Sequence, residues 1–260
     1  MRLNKITSTL VASSLFVLCS ASAHADWLFG IHAEAQYWQA ENDGGFTQNP
    51  SDHDWAWDDE GASRLSLNIN HFVPFVPNVM VELQNLESSG RAFHMNDLSI
   101  RGTTFTTPEN AGDMTEFLDS TWDLSHQTYT LYYRLFDNSL IEFYFGVSAK
   151  KFDGEVFVTD GATSFQQDFE ETIPMGYVRL TAGLPLTGLS IRAQGNPASF
   201  GDHDLYDIEA SIRYEFLDTM AFDGVVSLGY RQFNLKLDDA SGLYSDFSIS
   251  GPFLNVSLHF

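Results

Sequence analysis

The chain has 260 residues, a single cysteine, 13 basic against 35 acidic side chains and a formal net charge of −22. That sign is wrong for nucleic acid, whose partners carry basic patches. One cysteine excludes an internal disulfide, and no segment beyond residue 25 approaches the roughly 18 apolar residues of a helical membrane span.

The first residues read as a secretory signal. Arg2 and Lys5 form a positive start, and Ile6–Cys19 is an apolar run too short for a span of about 20 residues. Ala23-His24-Ala25 then forms a small-x-small cleavage site before Asp26. Residues 1–25 are expected to be removed, leaving 26–260 as one domain. Acylation of Cys19 would need a small residue before it, and Leu18 stands there.

From Trp27 onward the chain alternates, the period-2 pattern of a strand with two different faces. Phe29, Ile31, Ala33, Ala35 and Tyr37 oppose Gly30, His32, Glu34, Gln36 and Trp38. Leu65, Leu67 and Ile69 alternate with Arg64, Ser66, Asn68 and Asn70, and Val79, Val81 and Leu83 with Met80, Glu82 and Gln84. Further predicted strands cover 127–135, 141–150, 177–182, 189–194, 206–216, 226–231 and 254–260. That makes ten strands, with eight or twelve as the alternative counts.

The expected fold is all-β: a transmembrane, antiparallel, up-and-down barrel. A soluble sandwich also alternates. Three features favour the barrel. Aromatic residues (Trp27, Tyr37, Tyr133, Tyr206, Phe216, Phe260) sit near strand ends on the apolar face, as interfacial girdles require. Connections alternate between short (136–139, 185–188, 217–221) and long (41–61, 87–121, 153–171). An even strand count returns both termini to the periplasmic side. Closure matters because lipid offers no partner to an open strand edge.

Seven basic and seven acidic residues fall on the predicted inner face, unlike the single-sign rings of ion-selective pores. Turns centred on Asn138 and Asp218 would set Arg134 against Glu142 and Arg213 against Asp223. Such cross-strand pairs are expected to help plug the lumen, since small barrels are filled by side chains. The excess negative charge falls in the predicted outer loops, as in Asp52–Glu60, Asp168–Glu171, Asp202–Asp204 and Asp238-Asp239. It reads first as solvated loop charge and secondarily as a binder of divalent cations.

The last segment, Gly251-Pro-Phe-Leu-Asn-Val-Ser-Leu-His-Phe260, resembles the terminal strand of outer-membrane proteins. The resemblance implies that Leu254, Val256, Leu258 and Phe260 form the signal read by the barrel-assembly machinery. Over nearly its full length the chain also resembles a family of small Gram-negative outer-membrane barrels named for an early Gly-Gly pair. Here that pair is Gly44-Gly45. Leu124-Ser125-His126, Thr130-Leu131-Tyr132-Tyr133, Gly229-Tyr230-Arg231 and Gly251-Pro252 also match. The family is defined by architecture, so the resemblance implies a fold and no activity.

The expectation is an exported, monomeric outer-membrane barrel without cofactor. Its partners would be outer-membrane lipid and, during biogenesis, the Sec export and barrel-assembly machineries. Its function would be that of a structural barrel or narrow pore. The alternatives are a surface hydrolase using Asp58-Asp59 or Asp202-His203-Asp204, and a loop-based binder of cations or surface partners.

Overall fold

The computed structural model describes residues 29–47, 56–94, 98–106, 116–138, 140–200, 203–219, 222–240 and 243–260. The expected signal peptide, with Ala23 and Ala25, lies outside them, as does Trp27. The strands are β1 (Phe29–Thr47), β2 (Ala56–Trp57), β3 (Glu60–His71), β4 (Asn78–Asn85), β5 (Glu87–His94), β6 (Leu98–Ile100), β7 (Thr103–Phe105) and β8 (Glu116–Asp123). They continue as β9 (His126–Asp137), β10 (Ile141–Thr159), β11 (Ser164–Leu184), β12 (Leu189–Phe200), β13 (His203–Asp218), β14 (Asp223–Ala240) and β15 (Leu243–His259).

Ten of these strands close an antiparallel barrel in the order β1, β3, β4, β9, β10, β11, β12, β13, β14, β15 and back to β1. Within the lipid-facing wall, closure leaves no strand without a neighbour on each side, as lipid demands. At one end Ile31 and Phe260 exchange backbone hydrogen bonds of 3.1 and 2.8 Å. The hairpins β3–β4, β9–β10, β11–β12 and β13–β14, whose strands follow one another after short gaps in sequence, turn back at this same end. It is therefore the periplasmic end expected from the sequence.

The outer wall is apolar. Leu67, Leu131, Val147, Leu180, Ile191, Ile212, Leu228 and Leu254 are all exposed, while their sequence neighbours turn inward and are buried or half-buried. Tyr37, Tyr133 and Phe216 are exposed as expected of a girdle, and Tyr206 is half-buried.

The long connections differ from expectation. Much of the chain expected as loop is paired strand. β1 runs on to Thr47, taking Gly44-Gly45 into the ladder opposite Phe247 and Asp246. β10 and β11 continue through the predicted loop 153–171 to a tight turn. There the Asp160 carboxylate accepts hydrogen bonds from the backbone N–H groups of Ala162 and Thr163. β5 and β8 prolong the hairpin of β4 and β9 outward; β8 also pairs with β10, and β2 adds to β5.

The physical reason is an inversion of hydropathy along each strand. On the lower wall the apolar side chains point out; on the outer extension they point in. In β1 the apolar positions pass from Ala35 and Tyr37, both exposed, to Trp38 and Ala40, both buried. In β14 they pass from Leu228 and Tyr230 to Phe233 and Leu235, and in β15 from Val256 and Leu254 to Phe253, Ile249 and Phe247. Backbone alternation continues undisturbed while the chemistry of the two faces exchanges. The extension thus has a water-facing polar exterior and an apolar core of its own.

Candidate functional site

The barrel interior holds three levels of side chains. The outermost is the apolar core, where Trp38, Trp57, Trp122, Phe233, Phe247 and Ile249 pack with residues of β10 and β11 such as Phe152, Val158 and Phe165. Rings of Trp122 and Phe247 meet at 5.2 Å, and the Trp57 indole N–H donates to the Gly44 carbonyl at 2.7 Å. This core occupies the outer mouth.

Beneath it lies a buried ion network. Arg231, with no exposed surface, grips both Asp207 carboxylate oxygens at 2.8 Å. It also donates to the Gln84 side chain at 2.7 Å and lies 4.6 Å over the Trp38 ring. The Lys150 ammonium reaches Asp207 at 2.9 Å and donates to His126 Nε2 at 2.9 Å. His126 in turn donates from Nδ1 to the Leu124 carbonyl at 2.8 Å, which assigns its tautomer. Alongside, Arg64 donates to Glu209 at 2.7 Å and faces Glu82 at 3.6 Å. Charge-assisted bonds of this kind hold a buried network only where the partners are satisfied, as these are.

The third level is a vestibule of about 810 Å³ that opens at the periplasmic end. Its inner wall carries Arg179, Thr181, Arg192 and Arg213, with Glu34 reaching in from β1. Arg192 contacts Glu34 at 3.3 Å, and Asn255 donates to the same carboxylate at 3.2 Å. Arg179 donates to Gln194 at 2.9 Å and lies over the rings of Tyr144 and Tyr177. At the rim His32 and His259 stack at 4.0 Å, and His259 meets Asp223 at 3.2 Å.

The predicted charge pairs are placed differently. A bulge between Phe143 and Tyr144 shifts the ladder, so Arg134 stands opposite Tyr144 and Glu142 opposite Asp137. Arg134 bonds the Asp137 carboxylate instead of Glu142. An irregularity between Glu215 and Leu217 likewise leaves Arg213 opposite Ser227 and Asp223 opposite Asp218. One extra residue in a strand re-aims every pair beyond it, and neither bulge carries a sequence mark. The pairs that do cross the lumen join strands distant in sequence, such as Arg64 with Glu209, and no turn-based argument reaches them.

Leu254 and Val256 of the terminal strand are exposed on the lipid-facing wall; Leu258 and Phe260 are half-buried. Asp58 and Asp59 are exposed at the outer end, Asp202 lies outside the described residues, and His126 is enclosed in the ion network. Among the described residues no group of three or more His, Cys, Asp or Glu is placed to hold a metal ion. The apolar core was missed by sequence reasoning although its signal was present. Trp38, Phe152, Phe233 and Phe247 stand on the positions that would continue the polar face.

No known protein family and no curated protein matches the chain. Among solved structures it is similar to Ail, the attachment invasion locus protein of Yersinia pestis, at 9% identity over 90% of this chain and 99% of that one, TM-score 0.37. It is similar to a Pseudomonas aeruginosa FadL homologue at 8% identity over 90% of each chain, TM-score 0.37. The transport unit of the autotransporter AIDA-I from Escherichia coli is similar at 11% identity, covering 96% of this chain and 94% of that one, TM-score 0.37. Similarities this distant carry no functional argument. The class follows from the chain's own closed ladder, apolar outer belt and polar interior. This is an integral outer-membrane β-barrel.

Proposed function

We propose that the protein is a closed, non-conducting barrel whose paired outer extension stands as a rigid acidic platform above the membrane. The observation that carries this reading is the filled outer mouth. Trp38, Phe233 and Ile249 have no exposed surface, and the Arg231–Asp207–Lys150 network lies directly beneath them. A hydrated pore would leave such side chains wet. The platform's outward face is acidic, with Glu41, Asp43, Asp153, Glu155 and Asp168 all exposed. It suits a structural or surface-presenting role. The test is single-channel recording of refolded protein in a planar bilayer, after folding is verified by heat-dependent gel mobility. A folded but silent barrel is expected. Reproducible conductance steps would replace this reading with that of a narrow pore.

A further inference from the structure

We infer that Arg192, Arg213 and Thr181 form a binding site for a small oxyanion, phosphate- or carboxylate-bearing, that enters the vestibule from the periplasm. The three residues are contiguous on the inner wall. Thr181 stands opposite Arg192 across β11 and β12. Arg192 pairs with Ser211 and Arg213 with Ser190, which makes the two arginines diagonal neighbours across β12 and β13.

Both arginine residues are more than nine-tenths buried, yet neither is fully partnered. Arg192 contacts Glu34, but its Nε has no hydrogen-bond partner. Arg213 makes no hydrogen bond or ion pair among the described residues, and its Nε is buried and unpartnered. The Thr181 hydroxyl is likewise buried without a partner. All three line the vestibule cavity, so an entering group can reach them.

What these residues lack is acceptors. A buried donor left unsatisfied is costly, and a buried cation without a hydrogen-bonded acceptor more so. Elsewhere among the described residues the buried unpartnered groups are neutral, such as Trp38 Nε1, Ser120 Oγ and the Tyr177 hydroxyl. Glu34 is the single carboxylate on this wall beside Arg179, Arg192 and Arg213. Asp137, Glu142, Glu215 and Asp223 line the cavity nearer the short turns, where Asp137 is engaged by Arg134 and Asp223 by His259. The inner wall is therefore left positive. Planar guanidinium forks match the paired oxygens of phosphate and carboxylate, and a hydroxyl supplies a further donor.

The test uses the refolded full-length mature barrel in detergent micelles, titrated with inorganic phosphate and separately with acetate. Chloride holds the ionic strength constant, and binding is read by calorimetry and by the urea unfolding midpoint. Saturable one-to-one binding of at least one anion, with a rise in the midpoint, is expected. R213Q should weaken that binding at least tenfold while raising the midpoint in the absence of anion, because a buried cation with no hydrogen-bonded partner is gone. R91Q, at an exposed arginine paired with Asp119 on the outer extension, should bind as the unaltered protein does. Natively folded protein that binds neither anion saturably would overturn the inference, and so would undiminished affinity in R213Q. If R213Q does not refold, T181V provides the second reading: several-fold weaker binding supports the site, and unchanged affinity sinks it.

Discussion

Asp207 is the carboxylate on which the buried cations Arg231 and Lys150 meet. Its two oxygens receive Arg231 in a fork and Lys150 besides, so three elements of the wall converge on one carboxylate. Removing its charge would strand two buried cations. Asp207→Asn is expected to lower unfolding free energy by roughly 3–5 kcal/mol, the scale on which a broken buried pair destabilises. Urea unfolding in micelles, followed by tryptophan emission, measures this directly. A loss below the error of the extrapolation would mean that water already compensates the cations. Phe233 poses the apolar counterpart at the same height, over the Lys150 ammonium and stacked on His126. Truncation to alanine should cost about 3–5 kcal/mol through lost contacts and the cavity left behind.

At the level of elements, the seam between first and last strands has the tightest backbone approach. A Cβ added at Gly251 would lie 1.9 Å from the Gln39 carbonyl oxygen, and one at Gly44 would lie 1.9 Å from that of Asp246. Both glycines also have positive φ, at 155° and 94°. Gly251→Ala should therefore refold with greatly reduced yield of the heat-modifiable species. Gly176→Ala, which would meet only Pro197 at 3.6 Å, should refold normally. Equal yields would show that the seam relaxes without cost. The lipid-facing wall makes a depth-dependent prediction. Leu228→Arg in the apolar belt should destabilise by about 2–4 kcal/mol, and Gln232→Arg on the outer extension by about 0–1 kcal/mol, in vesicle-based unfolding.

These elements also show what could be read in the sequence. All ten wall strands were legible, because period-2 alternation survives wherever one face meets lipid and the other a polar lumen. In the sequence the outer halves of β10 and β11 resemble loop, because Asp153, Glu155, Asp168 and Glu170 look like solvated connection. The positions between them, Phe152, Val156, Val158, Phe165 and Phe169, show the same alternation with its faces exchanged. The lumen's ion pairs were beyond reach for another reason. They join residues such as Arg64 and Glu209, set by barrel closure and two bulges rather than by spacing along the chain.

Across the whole molecule, the described tryptophans Trp38, Trp57 and Trp122 sit inside the outer mouth instead of at the lipid interface. In a background where Trp27 and Trp55 are changed to phenylalanine, emission should be blue-shifted. It should resist quenching both by acrylamide from water and by brominated acyl chains from lipid. Strong quenching by the lipid probe would place these rings on the outer wall and contradict the filled mouth.

The exchange of faces has a mechanical consequence as well. The level at which each strand's apolar side chains turn from outside to inside traces a ring around the barrel, passing between Tyr37 and Trp38, between Tyr230 and Phe233, and at Phe253–Leu254. A displacement of the barrel along the membrane normal by two residues, roughly 6–7 Å of strand, would lift belt leucines into water or sink exposed carboxylates into hydrocarbon. The same ring thus acts as a waterline. The barrel floats at one height, and the acidic platform keeps a constant elevation above the lipid whatever happens in the vestibule below.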